Sequence, residues 1–173
     1  MARRGSHRLA SDGFQFFPAE RTRLIDLKLE VIIVPVSDVD RAKEFYVERM
    51  GFRLDLEINE GGFHALQLTP PGSACSIIFG RGLSRTPPGS LDRLLLAVDD
   101  IDKARTELIG RGIDVGEIFH AADGGPGAGF APPEGRVAGL DPQRQSYASY
   151  ALFSDPDGNT WMLQELTERF PGR

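Results

Sequence analysis

Metal binding, nucleophilic attack and phosphate cradling each need particular side chains at particular spacings, and this chain offers few of them. Its histidines stand far apart, at His7, His64 and His120. His64 lies in a strand-like run and His120 at the end of another. Joined by Glu165 they would make a divalent-metal site, although histidines without a shown common face are more often hydrogen-bonded or surface groups. Cys75 is the single cysteine, so an internal disulfide and a CxxC metal cluster are both excluded, and it has no evident activating neighbour. Neither GxSxG nor HExxH occurs, and "DGGPGAG" at 123–129 lacks the spacing and the following Lys-Ser/Thr of a phosphate loop. The residue that stands out is Arg93, which opens the apolar run "RLLLAV". A guanidinium there pairs within the protein (with Asp92, Glu30 or a loop acid), reaches solvent, or meets a ligand's carboxylate, enolate or phenolate. Internal pairing is the first reading and the anionic ligand the second. The residue types therefore point to a pocket and do not specify a reaction.

Such a pocket needs a frame, and 173 residues with 40% apolar content are enough for one real core or two half-sized modules sharing one. A formal net charge of −5 disfavours nucleic acid as a partner, because phosphate backbones are bound by a basic field. No segment approaches the roughly 20 apolar residues that span a bilayer, and "MARRGSHRLASDGFQFF" lacks the apolar stretch of a signal peptide. A cytoplasmic protein with no membrane partner is expected.

The frame itself is repeated. "VSDVDRAKEFYVERMGFRL" at 36–54 and "VDDIDKARTELIGRGIDV" at 98–115 match in type at most positions. Each copy runs from an apolar strand ("VIIVPV", "LLLAV") through an acidic cluster into a helical pattern, then a glycine, then alternating runs. Ser37 with Asp40, and Asp99 with Asp102, are placed to cap the two helices, which Gly51 and Gly112 end. Val39, Ala42, Phe45, Tyr46 and Met50 share one helix face, and Ile101, Ala104 and Leu108 the other, so each helix covers a sheet. Further strands are expected at 52–59, 62–69 and 73–80, then at 113–120, 147–154 and 159–167, the last two joined by the "DPDG" turn.

The fold class expected is thus α+β, two tandem βαβββ modules. An N-terminal arm (1–27) precedes the first module (28–82), and a linker (83–90) leads to the second (91–167) and a short tail (168–173). One stretch breaks the repeat: residues 121–146, "AADGGPGAGFAPPEGRVAGLDPQRQS", where the first copy has a short turn. Long segments without periodicity are uncommon in compact domains and often form binding loops. A lid or pocket wall anchored by Phe130, Val137 and Leu140 is expected, with an irregular insertion as the other reading.

Two such units, one opening on "PVSDVDRAKEFYVERMGF" and the other closing on "FSDPDGNTWMLQE", resemble the vicinal-oxygen-chelate superfamily of glyoxalase I, extradiol dioxygenases, fosfomycin-resistance enzymes and bleomycin-binding proteins. The resemblance spans residues 28–167. It implies cupped mixed sheets around a shared cavity and, in enzymatic members, one divalent metal held by inward-facing residues of the first and last strands of each unit. Fold of this kind does not decide function. Counted from the motifs, the metal positions fall on Val31, Arg93 and Met162, with the fourth among residues 74–79, where no carboxylate or imidazole stands. A thioether beside a guanidinium suits no hard divalent cation. No metal cofactor is expected, the alternative being a divalent metal in the site rebuilt from His64, His120 and Glu165. By alternation Glu165 points away from the face of Met162.

Strand alternation then gives the cavity lining: Val31, Ile33, Ser76 and Ile78 from the first unit, and Arg93, Leu95, Met162 and Gln164 from the second. Phe130 and Tyr147 are added from the long loop and its end, core packing being an equal reading for Tyr147 and Tyr150. Trp161 turns the other way, toward a helix. A mainly apolar lining with few polar groups suits a small, partly apolar organic molecule, anionic or aromatic, either sequestered or acted on without metal. The alternatives are a glyoxalase-type lyase, isomerase or dioxygenase with the rebuilt metal site, and a purely structural module. The open sheet edges leave room for a homodimer.

Overall fold

The structure, a computed structural model, describes residues 25, 27–130 and 132–170. Most of the expected N-terminal arm, His7 and positions 171–173 lie outside them.

The α+β class is as expected. The first module holds β1 (Val31–Ile33), α1 (Val39–Lys43), whose continuation Glu44–Arg49 is wound as a π-helix, then β2 (Arg53–Glu60), β3 (Phe63–Thr69) and β4 (Ser76–Gly80). The second holds β5 (Leu94–Val98), α2 (Ile101–Gly110), β6 (Phe119–Ala121), β7 (Arg136–Ala138), β8 (Tyr150–Ser154) and β9 (Thr160–Glu165). The sheet orders are β1-β4-β3-β2 and β5-β9-β8-β6-β7, with β1 parallel to β4 and β5 parallel to β9. The repeated sequence thus gives a repeated topology.

Each helix starts one residue from where the motif suggests. Asp38 is the cap of α1, its carboxylate accepting from the N–H groups of Asp40 and Arg41 at 3.0 Å each, and Asp100 caps α2 by accepting from Lys103 N at 3.0 Å. The Asp38 carboxyl is held below its usual range mainly by the Arg41 N–H. Ser37 is spent elsewhere: its hydroxyl donates to Asp157 Oδ1 at 2.5 Å, and Arg41 Nη2 joins the same oxygen at 2.8 Å. The start of the first helix is thereby tied to the "DPDG" turn of the second module. Gly51 and Gly112, at φ of 72° and 80°, end the helical segments as expected. The linker meets the same turn at Gly89, where a Cβ would lie 2.2 Å from the Asp157 carbonyl oxygen.

Two strands differ from the sequence reading. The run at 113–120 forms a strand only at β6, because Asp114 and Gly116 are poor strand residues. Residues 113–116 still travel beside β8, with Gly116 N donating to Leu152 O at 2.8 Å. Within the long loop, β7 pairs antiparallel with β6, Phe119 opposite Ala138 and Ala121 opposite Arg136. The loop is therefore partly a sheet extension.

The helix-bearing sides of both sheets feed one core. Phe45, Tyr46, Phe52, Leu66 and Phe79 of the first module pack with Ile101, Phe153, Trp161 and Leu163 of the second. Tyr46 donates to Asp155 Oδ2 at 2.8 Å and accepts from Trp161 Nε1 at 3.1 Å, all three buried, so Trp161 does turn toward the helices. With one core between them, the opposite faces of the two sheets look away from it.

Candidate functional site

On the outer side of the second sheet, β5, β9 and β8 lie next to one another, followed by the 113–116 segment. Alternation sends Arg93, Thr160, Ser154 and Asp114 to this face near one end of the strands, while Ile113 and Val115 turn into the core. Above them the loop brings Phe130, Pro132, Pro133 and Arg136. The floor and this roof bound an open cavity of about 870 Å³, with Asp92, Gly116 and Leu152 completing its wall.

Arg93 is built into this wall. Its φ is 58°, a left-handed conformation uncommon for a side chain of its kind. The conformation is held by Thr160, whose Oγ1 accepts from Arg93 N at 2.7 Å and donates to Asp92 Oδ1 at 2.9 Å. Arg93 Nε donates to Asp92 Oδ2 at 3.0 Å and Nη1 to the Gly129 carbonyl at 3.3 Å. Internal pairing with Asp92 is thus part of the answer for Arg93. It leaves Nη2 and its two N–H groups without a protein partner among the described residues. Arg136 lies over the Phe119 ring, Cζ 4.5 Å from the centroid.

The expected lining residues separate into three groups. Arg93 and Phe130 line the cavity, Phe130 with 60% of its surface exposed. Val31, Ile33, Ser76 and Ile78 come together on the outer face of the first sheet, Val31 opposite Ser76 and Ile33 opposite Ile78. There Thr69 donates to Asp55, and the Thr69 and Ser76 hydroxyls lie 2.7 Å apart. Those bonds from Thr69 and then Arg53 keep the Asp55 carboxyl below its usual range. The remaining residues take part in packing. Met162 is fully buried with Phe119 and Tyr150, and a Cβ on Gly129 would fall 2.7 Å from its methyl carbon, so the loop closes over the methionine. Leu95 is its half-exposed neighbour on β5. Gln164 Nε2 donates to the Tyr150 hydroxyl at 3.2 Å, which also accepts from Gly127 N at 2.9 Å and donates to the Tyr147 carbonyl. Tyr147 is buried and stacked on Phe170 at 3.9 Å, which takes it out of the wall.

The sequence reading missed Asp114, Arg136, Leu152, Ser154 and the two prolines as lining. The signal for Asp114 was available, since it sits between the apolar Ile113 and Val115 and must face away from the core.

A divalent metal does not fit the residues at the family's ligand positions. Val31 and Arg93 belong to different sheets, Met162 is sealed under the loop, and Ser76 bonds Thr69. Nor are the alternative ligands gathered: His64 bonds Glu57 at 3.1 Å, His120 bonds the Gly139 carbonyl at 3.0 Å, and Glu165 pairs with Arg144 at 2.6 Å. Among the described residues, no three His, Cys, Asp or Glu side chains group as a metal site.

Comparison with solved structures gives the same architecture. TnmS3, an antibiotic binding protein from Streptomyces sp. CB03234, is 32% identical, with 83% of this chain and 99% of that one covered and a TM-score of 0.59. A glyoxalase/bleomycin resistance protein from the same Streptomyces strain is 33% identical over 80% and 100% of the two chains, with a TM-score of 0.56. A superfamily member from Sphaerobacter thermophilus DSM 20745 is 26% identical over 81% and 98%, with a TM-score of 0.53. No curated protein matches the chain. The family model for Glyoxalase/Bleomycin resistance protein/Dioxygenase matches residues 28–163, nearly the whole of both modules. With the repeated topology and these relatives, the match means that the chain belongs to the Glyoxalase/Bleomycin resistance protein/Dioxygenase superfamily.

Proposed function

We propose that this protein binds a small, partly apolar organic molecule carrying an acidic group, in the cavity between the second sheet and the 121–146 loop, without a metal. The observation that carries this reading is Arg93. A guanidinium fixed by Asp92, Thr160 and the Gly129 carbonyl, with N–H groups to spare, is pre-organised for an anion and faces an apolar shelf of Phe130 and two prolines. The likeness to an antibiotic-binding protein supports a small-molecule ligand. The test is thermal stabilisation over a panel of aromatic acids and their neutral amides, since a ligand that binds only the folded state raises stability by RT ln(1 + [L]/Kd). Acids are expected to stabilise and amides to do so less. A flat response to every compound contradicts the reading.

The same proposal includes a second copy of the chain. Val31, Ile33, Leu56, Ile58 and Phe63 expose between 37% and 49% of their surfaces, and strand register puts them on the outer face of the first sheet. Pairing about a two-fold axis would cover this face and complete a shared cavity between copies.

A further inference from the structure

We infer that the ligand is amphoteric and elongated, its acidic end held by Arg93 and a basic end by Asp114. This rests on the binding reading above and adds the second half of the recognition.

Asp114 is a second charged group of the cavity floor, and unlike Arg93 it has no hydrogen-bond or ion-pair partner among the described residues. Ile113 and Val115 are buried in the shared core, which turns the Asp114 carboxylate to the cavity side. No hydrogen bond or ion pair engages it among the described residues. Asp92, by contrast, is committed at both oxygens, to Arg93 and to Thr160. The cavity therefore offers unfilled N–H donors on one side and an unfilled carboxylate on the other. Ser154 of β8 stands in strand order between Thr160 and the 113–116 segment.

The separation follows from the sheet. Arg93 opens the β5 edge, and Thr160 and Ser154 pair across β9 and β8. The 113–116 segment continues beyond β8. Three strand spacings put the two backbones roughly 14 Å apart. Because the arginine side chain reaches inward, a bridging molecule needs its acid and base on the order of 10 Å apart. Two fused or linked rings against Phe130 and Pro132 fill that length. A single ring does not.

Titration calorimetry with four probes tests this: 4′-(aminomethyl)biphenyl-4-carboxylic acid, biphenyl-4-carboxylic acid, 4-(aminomethyl)biphenyl and the short 4-(aminomethyl)benzoic acid. The long amphoteric probe is expected to bind about tenfold tighter than the biphenyl acid, as a charge-assisted hydrogen bond allows. Asp114→Asn should bring the long probe down to the affinity of the biphenyl acid measured on the same variant, and Ser154→Ala should retain most of the gain. If the biphenyl acid binds through Arg93 but the amine adds nothing, or Asp114→Asn keeps the gain, the amphoteric inference is overturned and the binding reading stands. If none of the three acids binds, both fall.

Discussion

Arg93 decides the chemistry of the cavity because its surroundings fix it before any ligand arrives. Thr160 and Asp92 hold the backbone and the guanidinium together, so little side-chain freedom remains to be lost on binding. Arg93→Met should weaken binding of biphenyl-4-carboxylate by about tenfold or more, with little change for its neutral amide. Equal losses for both compounds in calorimetry would show that the residue shapes the pocket without reading charge. Thr160→Val removes the hydroxyl that joins Arg93 to Asp92, and is expected to give an intermediate loss. Met162 illustrates the opposite case. Its place in the turn-and-strand motif was legible, but its burial was not, because it depends on a loop glycine distant in sequence.

At the scale of elements, the 121–146 loop behaves as a roof with fixed points. It pairs β7 to β6, ties Gly127 to the Tyr150 hydroxyl and seats Gly129 against Met162. Replacing residues 124–134 with a short Gly-Ser turn should leave both sheets folded and abolish retention of the acid; loss of cooperative unfolding would show that the loop belongs to the core. The bond between modules makes a separate prediction. Burial, followed by the charge and hydrogen bond of Asp155, pushes the Tyr46 phenol above the usual tyrosine range. The fold therefore stabilises the neutral phenol, a contribution complete below the unfolded value of about 10 and lost as pH rises above it. Tyr46→Phe should cost about 1–2 kcal/mol at neutral pH and flatten the decline in stability above about pH 10, as read by urea unfolding at stepped pH. An unchanged alkaline slope would assign that decline to other groups. The helices, their glycine stops and the "DPDG" turn were legible because local rules govern them. The π-helical turn at Glu44–Arg49 and β7 were not, because packing and a long-range pairing create them.

For the whole molecule, the repeat made two sheets legible, but it did not say which of their faces would meet. Trp161 toward the helices and Met162 away from them were both readable by alternation. The shared core between Tyr46, Phe79 and Trp161 settles the rest, turning the two cups outward. The outer face of the first sheet then exposes Val31, Ile33 and Ile58. Sedimentation at micromolar concentration should give a dimer, and Ile33→Glu with Ile58→Glu a folded monomer; a parent chain that sediments as a monomer contradicts the pairing. The central claim, that the second-module cavity takes an acidic organic molecule on Arg93, is tested most directly by a crystal structure of the protein with biphenyl-4-carboxylate. The account predicts the carboxylate within hydrogen-bonding distance of the Arg93 guanidinium and the rings against Phe130 and Pro132. A molecule bound with its carboxylate away from Arg93, or an empty cavity at saturating ligand, would contradict it.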